Sequence, residues 1–397
     1  MQTGQTIFFT SITANYLPKA RVLAESVKRH HPDSHFALLL SDTPPEDFAL
    51  DAEPFDELVS AEALGIAEFP RWAFMHSVVE LCTAVKGPAF KYFLARRNTS
   101  KVFYLDPDMV VFAPLTPLID RLDQHSVLLT PHLVEPEEDN RAIVDNEICA
   151  LKHGVFNLGF LALANTEGGR KFADWWAARL LDYCYDDIPG GLFTDQRWVD
   201  LAPCFFDDLE VVRDPAYNIA TWNLTHREVG GSLEDGLTVN GQTLRLYHFS
   251  GFDSGAQATA LTSYAPENRT LWQMREWYIG ACERQGQSRL GKRASAYANF
   301  GNGEPIRQAH RVLYRSRPDL MKAFPDPYSC EDSNKSYWHW YQAEQTRLGL
   351  APAAGNGASQ MEQELAYYRA ALANIHGSRS WRLANVIASV ARRLRLT

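Results

Sequence analysis

The chain has 397 residues, 46% of them hydrophobic and 12% aromatic, with 39 basic and 48 acidic side chains for a net charge of −9. This supplies apolar material for one large domain with appendages or for two domains, and a charged fraction of 22% excludes global disorder. The negative balance argues against nucleic acid as a partner.

Cys82, Cys149, Cys184, Cys204, Cys282 and Cys330 form no Cys-x-x-Cys pair, which suits thiols in a reducing compartment better than a disulfide framework or a zinc site. Met1-Gln-Thr-Gly leads straight into a strand-like stretch without the basic and apolar regions of a signal peptide. No apolar run reaches the roughly 18 residues needed to span a bilayer. A cytoplasmic protein is expected.

Thr6–Thr10 reads as a first strand, followed by the polar turn Ser11–Tyr16 and by Leu17–His30, whose Leu17, Ala20, Leu23, Ala24 and Val27 recur at helical spacing. Phe36–Leu40 supplies a second strand, and strand–helix–strand predicts a parallel, doubly wound sheet. Arg71–Leu94 is mostly helical in pattern but broken at Gly87-Pro88. Val127–Thr130 is a short strand, followed by the acidic loop Glu135–Asn140. Gly154–Leu163 has strand composition with Asn157 and Gly159 inside it, and a helix is expected over about 169–183. Thr194-Asp195-Gln196 stands where a helix cap would stand. Leu244–Gly251 is another strand ending in a polar cluster, and 267–350 reads as helical and rich in Trp and Tyr. Residues 351–357 form an Ala/Gly/Pro linker. The expected organisation is therefore an α/β domain over 1–266, a helical region over 267–350, the linker, and a basic helical tail over 358–397.

The run Val102–Leu105 reads as a buried strand, and it delivers Asp106-Pro-Asp108 at its end. Ligands of open α/β sheets collect at the carboxyl ends of strands. Two carboxylates held there repel each other, and a divalent cation removes that cost and bridges to phosphates. Asp-Pro-Asp is also ordinary turn chemistry. Asp-X-Asp-X-Val resembles, besides, the nucleophile motif of haloacid-dehalogenase-type phosphatases, although that motif sits on a first strand and about a hundred residues precede it here.

Four more blocks join this one: Thr10–Tyr16, Phe156-Asn157-Leu-Gly159, Asp195-Gln196 and His248-Phe-Ser-Gly251. In this order, over roughly residues 6–255, they resemble GT-A-fold glycosyltransferases in the pattern of family 8, which are retaining and metal-dependent. The resemblance implies a Rossmann-like, mostly parallel central sheet flanked by helices, with a helical C-terminal extension. It implies that Thr10, Asn15 and Tyr16 contact the base and ribose of a nucleotide-sugar donor, and that Asp106, Asp108 and His248 hold Mn²⁺ or Mg²⁺. Asn157 then lies near the donor sugar, Asp195 and Gln196 beside the anomeric carbon as the catalytic pair, and Gly251 against the phosphates. Asn157 as a satisfied core amide and His248 as a structural imidazole are the bland alternatives.

Two positions depart from the family pattern. Arg197 stands where an acid is usual, and Ser254 where a Lys pairs with the diphosphate. Arg245, Arg213, Lys91 and Lys86 are candidates for the missing cation. Between the Asp-Gln and His blocks, Trp222 and Asn223 combine an aromatic face with a planar amide, which suits an acceptor sugar, with Trp222 as a core residue the alternative.

The expected activity is transfer of a hexosyl group, by default from a UDP-hexose, to a hydroxyl of a glycan or lipid-linked acceptor in bacterial surface-glycan synthesis. A GT-A scaffold that binds without turnover is the non-enzyme alternative. The last segment, 378–397, has five arginines and no acid, with Trp381, Leu383, Val386, Ile387, Val390 and Leu394 as an apolar set. Such a segment suits peripheral docking on an anionic membrane surface, with packing on the body or on another subunit as the alternative.

Overall fold

The computed structural model describes residues 4–347. The linker 351–357 and the tail 358–397 lie outside the described residues, and so does the expectation of a membrane-docking face there.

The chain begins with strand β1 (Gln5–Ile12), helix α1 (Leu17–His30), and strands β2 (His35–Leu40) and β3 (Glu57–Ser60). Pro18 in the first turn of α1 costs no hydrogen bond there and presets the helical φ. Helices α2 (Phe69–Phe74), α3 (Val78–Ala84) and α4 (Lys86–Leu94) follow. Gly87-Pro88 does break the helical pattern: it lies in the opening turn of α4, and a Cβ on Gly87 would sit 2.6 Å from the Cα of Ala177. The missing side chain at 87 therefore lets α4 approach the later helix Glu167–Tyr183 closely.

Strands β4 (Thr99–Leu105), β5 (Met109–Val111), β6 (Val127–Pro131) and β7 (Phe156–Ala164) come next. They are followed by the small hairpin β8 (Asp186–Asp187) with β9 (Leu192–Phe193), and by β10 (Leu209–Val211). The meander β11 (Val229–Ser232), β12 (Gly236–Val239), β13 (Gln242–Thr243) precedes β14 (Leu246–His248).

The central sheet has seven strands in the order β10-β6-β7-β4-β1-β2-β3. Neighbours β10 and β6, β4 and β1, β1 and β2, and β2 and β3 are parallel, while β7 runs against both β4 and β6. Both faces of the sheet are buried, so its strands are continuously apolar. Alternation sends Phe8, Phe36, Leu38 and Phe103 to the face covered by α1, with Leu23 and Val27. It sends Ile7, Phe9, Leu39 and Tyr104 to the other face, covered by α3, α4 and the helix of Trp176. The architecture is the GT-A-like one expected: a mostly parallel sheet flanked by helices, with a helical C-terminal region.

Within the described residues, 4–298 form one compact unit and 299–347 another. Helices Arg269–Arg284 and Gln287–Leu290 pack on α1 within the first. The second is built on aromatic side chains: Tyr314 donates to Phe324 O at 2.6 Å and Tyr337 to His310 O at 2.8 Å, with the Tyr314 and Tyr337 rings 5.1 Å apart. No helix among the described residues is long and apolar enough to cross a membrane.

Candidate active site

The antiparallel run of β7 is what assembles the site. Its first residues lie against the last residues of β4, so Asp106 N donates to Gly159 O at 2.8 Å and Leu105 pairs with Phe160. The chain turns after Asp106, with Met109 N donating to Asp106 O at 3.0 Å, and β5 then pairs antiparallel with β14. Register sets His248 opposite Met109, and Phe249 N donates to Asp108 O at 2.8 Å. The result brings Asp106, Asp108 and His248 together, each offering a ligand atom within 4.8 Å of the others.

His248 Nε2 lies 3.0 Å from Asp108 Oδ1 and 3.9 Å from Asp106 Oδ2. Burial alone would raise the Asp108 pKa, but the charge and hydrogen bond of His248 outweigh it and hold this carboxyl below its usual range. Burial disfavours a charged His248, yet Asp108 and Asp106 together raise its pKa. The other oxygen of Asp106 is already engaged: Tyr104 donates to Oδ1 at 2.5 Å and Lys86 Nζ approaches it at 3.4 Å. Oδ2 is thereby left toward the cluster.

These residues fit a divalent cation. Two carboxylates and an imidazole form a sensible donor set for Mn²⁺ or Mg²⁺. Gly159 forms the floor: a Cβ there would lie 2.8 Å from His248 Cε1 and 2.9 Å from Asp106 Oδ2. Absence of a side chain at 159 is what allows the ligand atoms to converge.

Lys86, at the start of α4, sits between the cluster and Asp195. Its Nζ lies 3.0 Å from Asp195 Oδ2 and donates to Leu158 O at 3.1 Å. Burial would lower its pKa, but Asp106 and Asp195 raise it, so the ammonium persists. Asp195 is pushed up by burial against the opposing pull of Lys86. Although Asp195 stands at the N-terminus of the helix Gln196–Val199, its side chain caps nothing; it faces Lys86 and accepts from Thr194 Oγ1 at 3.1 Å. Gln196 holds backbone: its Oε1 accepts from Leu158 N at 3.1 Å and its Nε2 donates to His153 O at 2.9 Å. It ties the start of β7 to the preceding helical segment.

A cavity of about 510 Å³ opens above these groups, lined among others by Tyr16, Asp106, Asp108, Asn157, Asp195 and Trp222. Gln196 and His248 also face it. From the first turn, Ser11, Ile12, Thr13 and Tyr16 reach the cavity. Thr10 is fully buried within β1, and Asn15 accepts from Thr13 Oγ1 at 2.7 Å. Asn157 is locked into an amide network, accepting from Asn218 Nδ2 at 3.0 Å and from Gly159 N at 3.2 Å. Gly251 has φ +72°, a left-handed turn that favours glycine, and its carbonyl accepts from Gln257 N at 3.0 Å. Asn223 is buried and uses both ends of its amide locally: Oδ1 accepts from Ala220 N at 3.0 Å and Nδ2 donates to Asn218 O at 3.1 Å. Trp222 packs between His132 and His248, with ring centroids 5.2 and 5.3 Å away.

Of the four candidate cations, Lys86 alone stands in the site. Lys91 pairs with Asp174 at 2.9 Å on the surface, Arg245 donates to Pro114 O at 2.6 Å, and Arg213 is exposed. Two further residues were not singled out from sequence. Lys19 of α1 is 2% exposed, 2.6 Å from Asp253 and 3.5 Å from the Tyr16 ring centroid, and its charge reaches Asp108. His132 lines the cavity with its pKa lowered to about 4 by burial. The alternation that would have flagged Lys19 is present, since it falls among buried positions of α1, but a lysine there reads as solvated.

No family model matches the chain. Two proteins of Bacillus subtilis (strain 168), both called uncharacterized, are similar to it. YfnF is 29% identical over 178 residues, 44% of this chain and 57% of that protein. YfnD is 25% identical over 251 residues, 62% of this chain and 77% of that protein. The chain thus matches little more than half the length of YfnF. Among solved structures it is similar to the galactosyltransferase LgtC in complex with donor and acceptor sugar analogs, 17% identical over 70% of this chain and 96% of that one, TM-score 0.42. It is also similar to the glycosyltransferase GlyE of Streptococcus pneumoniae TIGR4, 18% identical over 75% and 67%, TM-score 0.41. Mouse xyloside xylosyltransferase 1 is 14% identical over 62% and 97%, TM-score 0.36. By its sheet topology and the strand-end placement of the Asp-Pro-Asp turn, the chain has the fold of a GT-A glycosyltransferase.

Proposed function

We propose that the chain transfers a hexosyl group from a nucleotide diphosphate sugar, by default a UDP-hexose, to an acceptor hydroxyl with retention of configuration, in the synthesis of a bacterial surface glycan. The observation that carries the reading is the convergence of Asp106, Asp108 and His248 at the base of a cavity whose adjoining wall is the Lys86–Asp195 pair. Asp106, Asp108 and His248 would hold Mn²⁺ or Mg²⁺, which when bound supplies positive charge against the leaving diphosphate. Tyr16 offers an aromatic face to the base, and Asn157 an amide beside the sugar. Lys19 and Lys86 add buried positive charge on two sides of the cluster.

In the reaction the bond from the anomeric carbon to the phosphate oxygen breaks and a bond to the acceptor oxygen forms on the same face. The acceptor proton passes to the leaving phosphate oxygen. Asp195, held by Lys86 and Thr194, faces the developing positive charge on the sugar and steadies it electrostatically. Gln196, through Leu158 N and His153 O, keeps the start of β7 in place for that step. The cavity beside Trp222 is the space for the acceptor, a glycan or a lipid-linked saccharide. Peripheral contact with the inner face of the cytoplasmic membrane through 378–397 completes the reading; liposome binding unchanged on deleting that segment would count against it.

Binding of nucleotides tests the site. Thermal shifts with a panel of nucleoside diphosphates and nucleotide sugars, with and without Mn²⁺, should show metal-dependent stabilisation by one base, lost in Asp108→Ala. Silence across the panel would refute the donor assignment. Binding without donor cleavage would favour the non-catalytic scaffold.

A further inference from the structure

We propose that Trp222 is a positioning residue for His248: its indole, in place of a hydrogen-bond acceptor, fixes the imidazole that faces Asp106 and Asp108. The proposal rests on the metal reading above. The backbone of His248 is pinned, with its N–H donating to Ile219 O at 2.8 Å, but this leaves the ring free to turn. Nε2 faces Asp108 at 3.0 Å. Nδ1 is buried and meets no hydrogen-bond partner among the described residues. A metal-binding imidazole ordinarily has its second nitrogen tied to a carboxylate or carbonyl, which sets its tautomer and ring angle. Among the described residues nothing makes that tie, and the ring instead meets the Trp222 indole edge-to-face, centroids 5.3 Å apart at 89°. This is the favoured geometry of aromatic pairs, and it restrains rotation in the plane that a hydrogen bond would otherwise restrain.

The indole is itself held by packing. Its Nε1 is buried without a partner among the described residues, so no hydrogen bond of its own to them accounts for its place. On the other side it meets His132, centroids 5.2 Å apart at 68°, and His132 Nε2 lies 3.3 Å from Asn157 Nδ2. The next residue anchors the segment: Asn223 closes the turn onto Ala220 and Asn218. Three rings, His132, Trp222 and His248, therefore pack in a row between the amide network of Asn157 and the carboxylates. A half-buried tryptophan so placed governs the metal ligand whether or not an acceptor sugar touches its outer edge.

The test is Mn²⁺ affinity, read from the electron paramagnetic resonance of free Mn²⁺ with the full chain and no substrate. Trp222→Leu should weaken Mn²⁺ binding about 10–100-fold, the usual effect of removing an outer partner of a ligating histidine. Trp222→Phe, which keeps an aromatic face, should stay within about threefold of wild type. Circular dichroism of the metal-free variants checks the fold, and Trp222→Met, unbranched and better able to fill an irregular gap, replaces the leucine variant if that one does not fold. Wild-type Mn²⁺ affinity in folded Leu or Met variants, with only the acceptor KM raised, would overturn the proposal and leave the metal reading intact. Absence of Mn²⁺ binding in the wild type would overturn both.

Discussion

Gly159→Ala is the smallest change that disturbs the site. Its Cβ would meet Asn157 Oδ1 and His248 Cε1 at 2.8 Å and Asp106 Oδ2 at 2.9 Å. Carbon contacts are comfortable near about 3.5 Å, so three groups must each retreat by about 0.6 Å. None is a loose end. Asp106 is held through its other oxygen by Tyr104, Asn157 by Asn218, and His248 between Asp108 and Trp222. Overpacking of this kind costs roughly 1–3 kcal/mol, so the variant should fold and melt a few degrees lower. Metal sites tolerate only about 0.2 Å in ligand distance. Mn²⁺ affinity should therefore fall at least about tenfold, out of proportion to the modest loss of stability. Titration with Mn²⁺ beside a thermal melt separates the two. Wild-type Mn²⁺ affinity in Gly159→Ala would refute the claim that this glycine is the floor of a metal site.

Lys86→Met leaves Asp195 buried without its cation, and breaking such a pair costs about 3–5 kcal/mol; denaturant melts should show it, and Lys86→Met with Asp195→Asn should recover stability without recovering turnover. Lys19→Met should weaken nucleoside diphosphate binding about tenfold more than nucleoside binding, measured by calorimetry, whereas Lys91→Met should do neither. His132, with its pKa lowered to about 4, stays neutral in the folded chain while the unfolded chain takes up a proton below about 6.5. Its contribution is thus present above about 6.5 and is lost as pH falls toward 4, by at most about 1.4 kcal/mol per pH unit. Replacing it with Phe should flatten that part of the stability–pH profile; an unchanged slope would contradict the assignment.

The strand before Asp106 and its two carboxylates were legible because an apolar run ending in Asp-Pro-Asp carries its own placement. His248 was legible only through resemblance, since nothing in its neighbours announces that β14 pairs with β5. The direction of β7 was not legible at all. Strand composition is the same for either direction, yet the antiparallel run is what sets Gly159 under Asp106. Lys86 was one of four unranked cations because the break at Gly87-Pro88 hid the start of α4, where its side chain turns inward. Lys19 was missed because a buried lysine announces itself only through partners distant in sequence, here Asp253. Asn223 had the composition of a sugar-binding amide, but its short-range bonds to residues 218 and 220 claim it for the backbone.

The most direct measurement is release of nucleoside diphosphate from a panel of nucleotide sugars by the full chain, with Mn²⁺, with chelator, and in Asp108→Ala. Cleavage of one donor is expected, dependent on the metal and lost in the variant. Cleavage untouched by chelator or by loss of Asp108, or no cleavage of any donor, would contradict it.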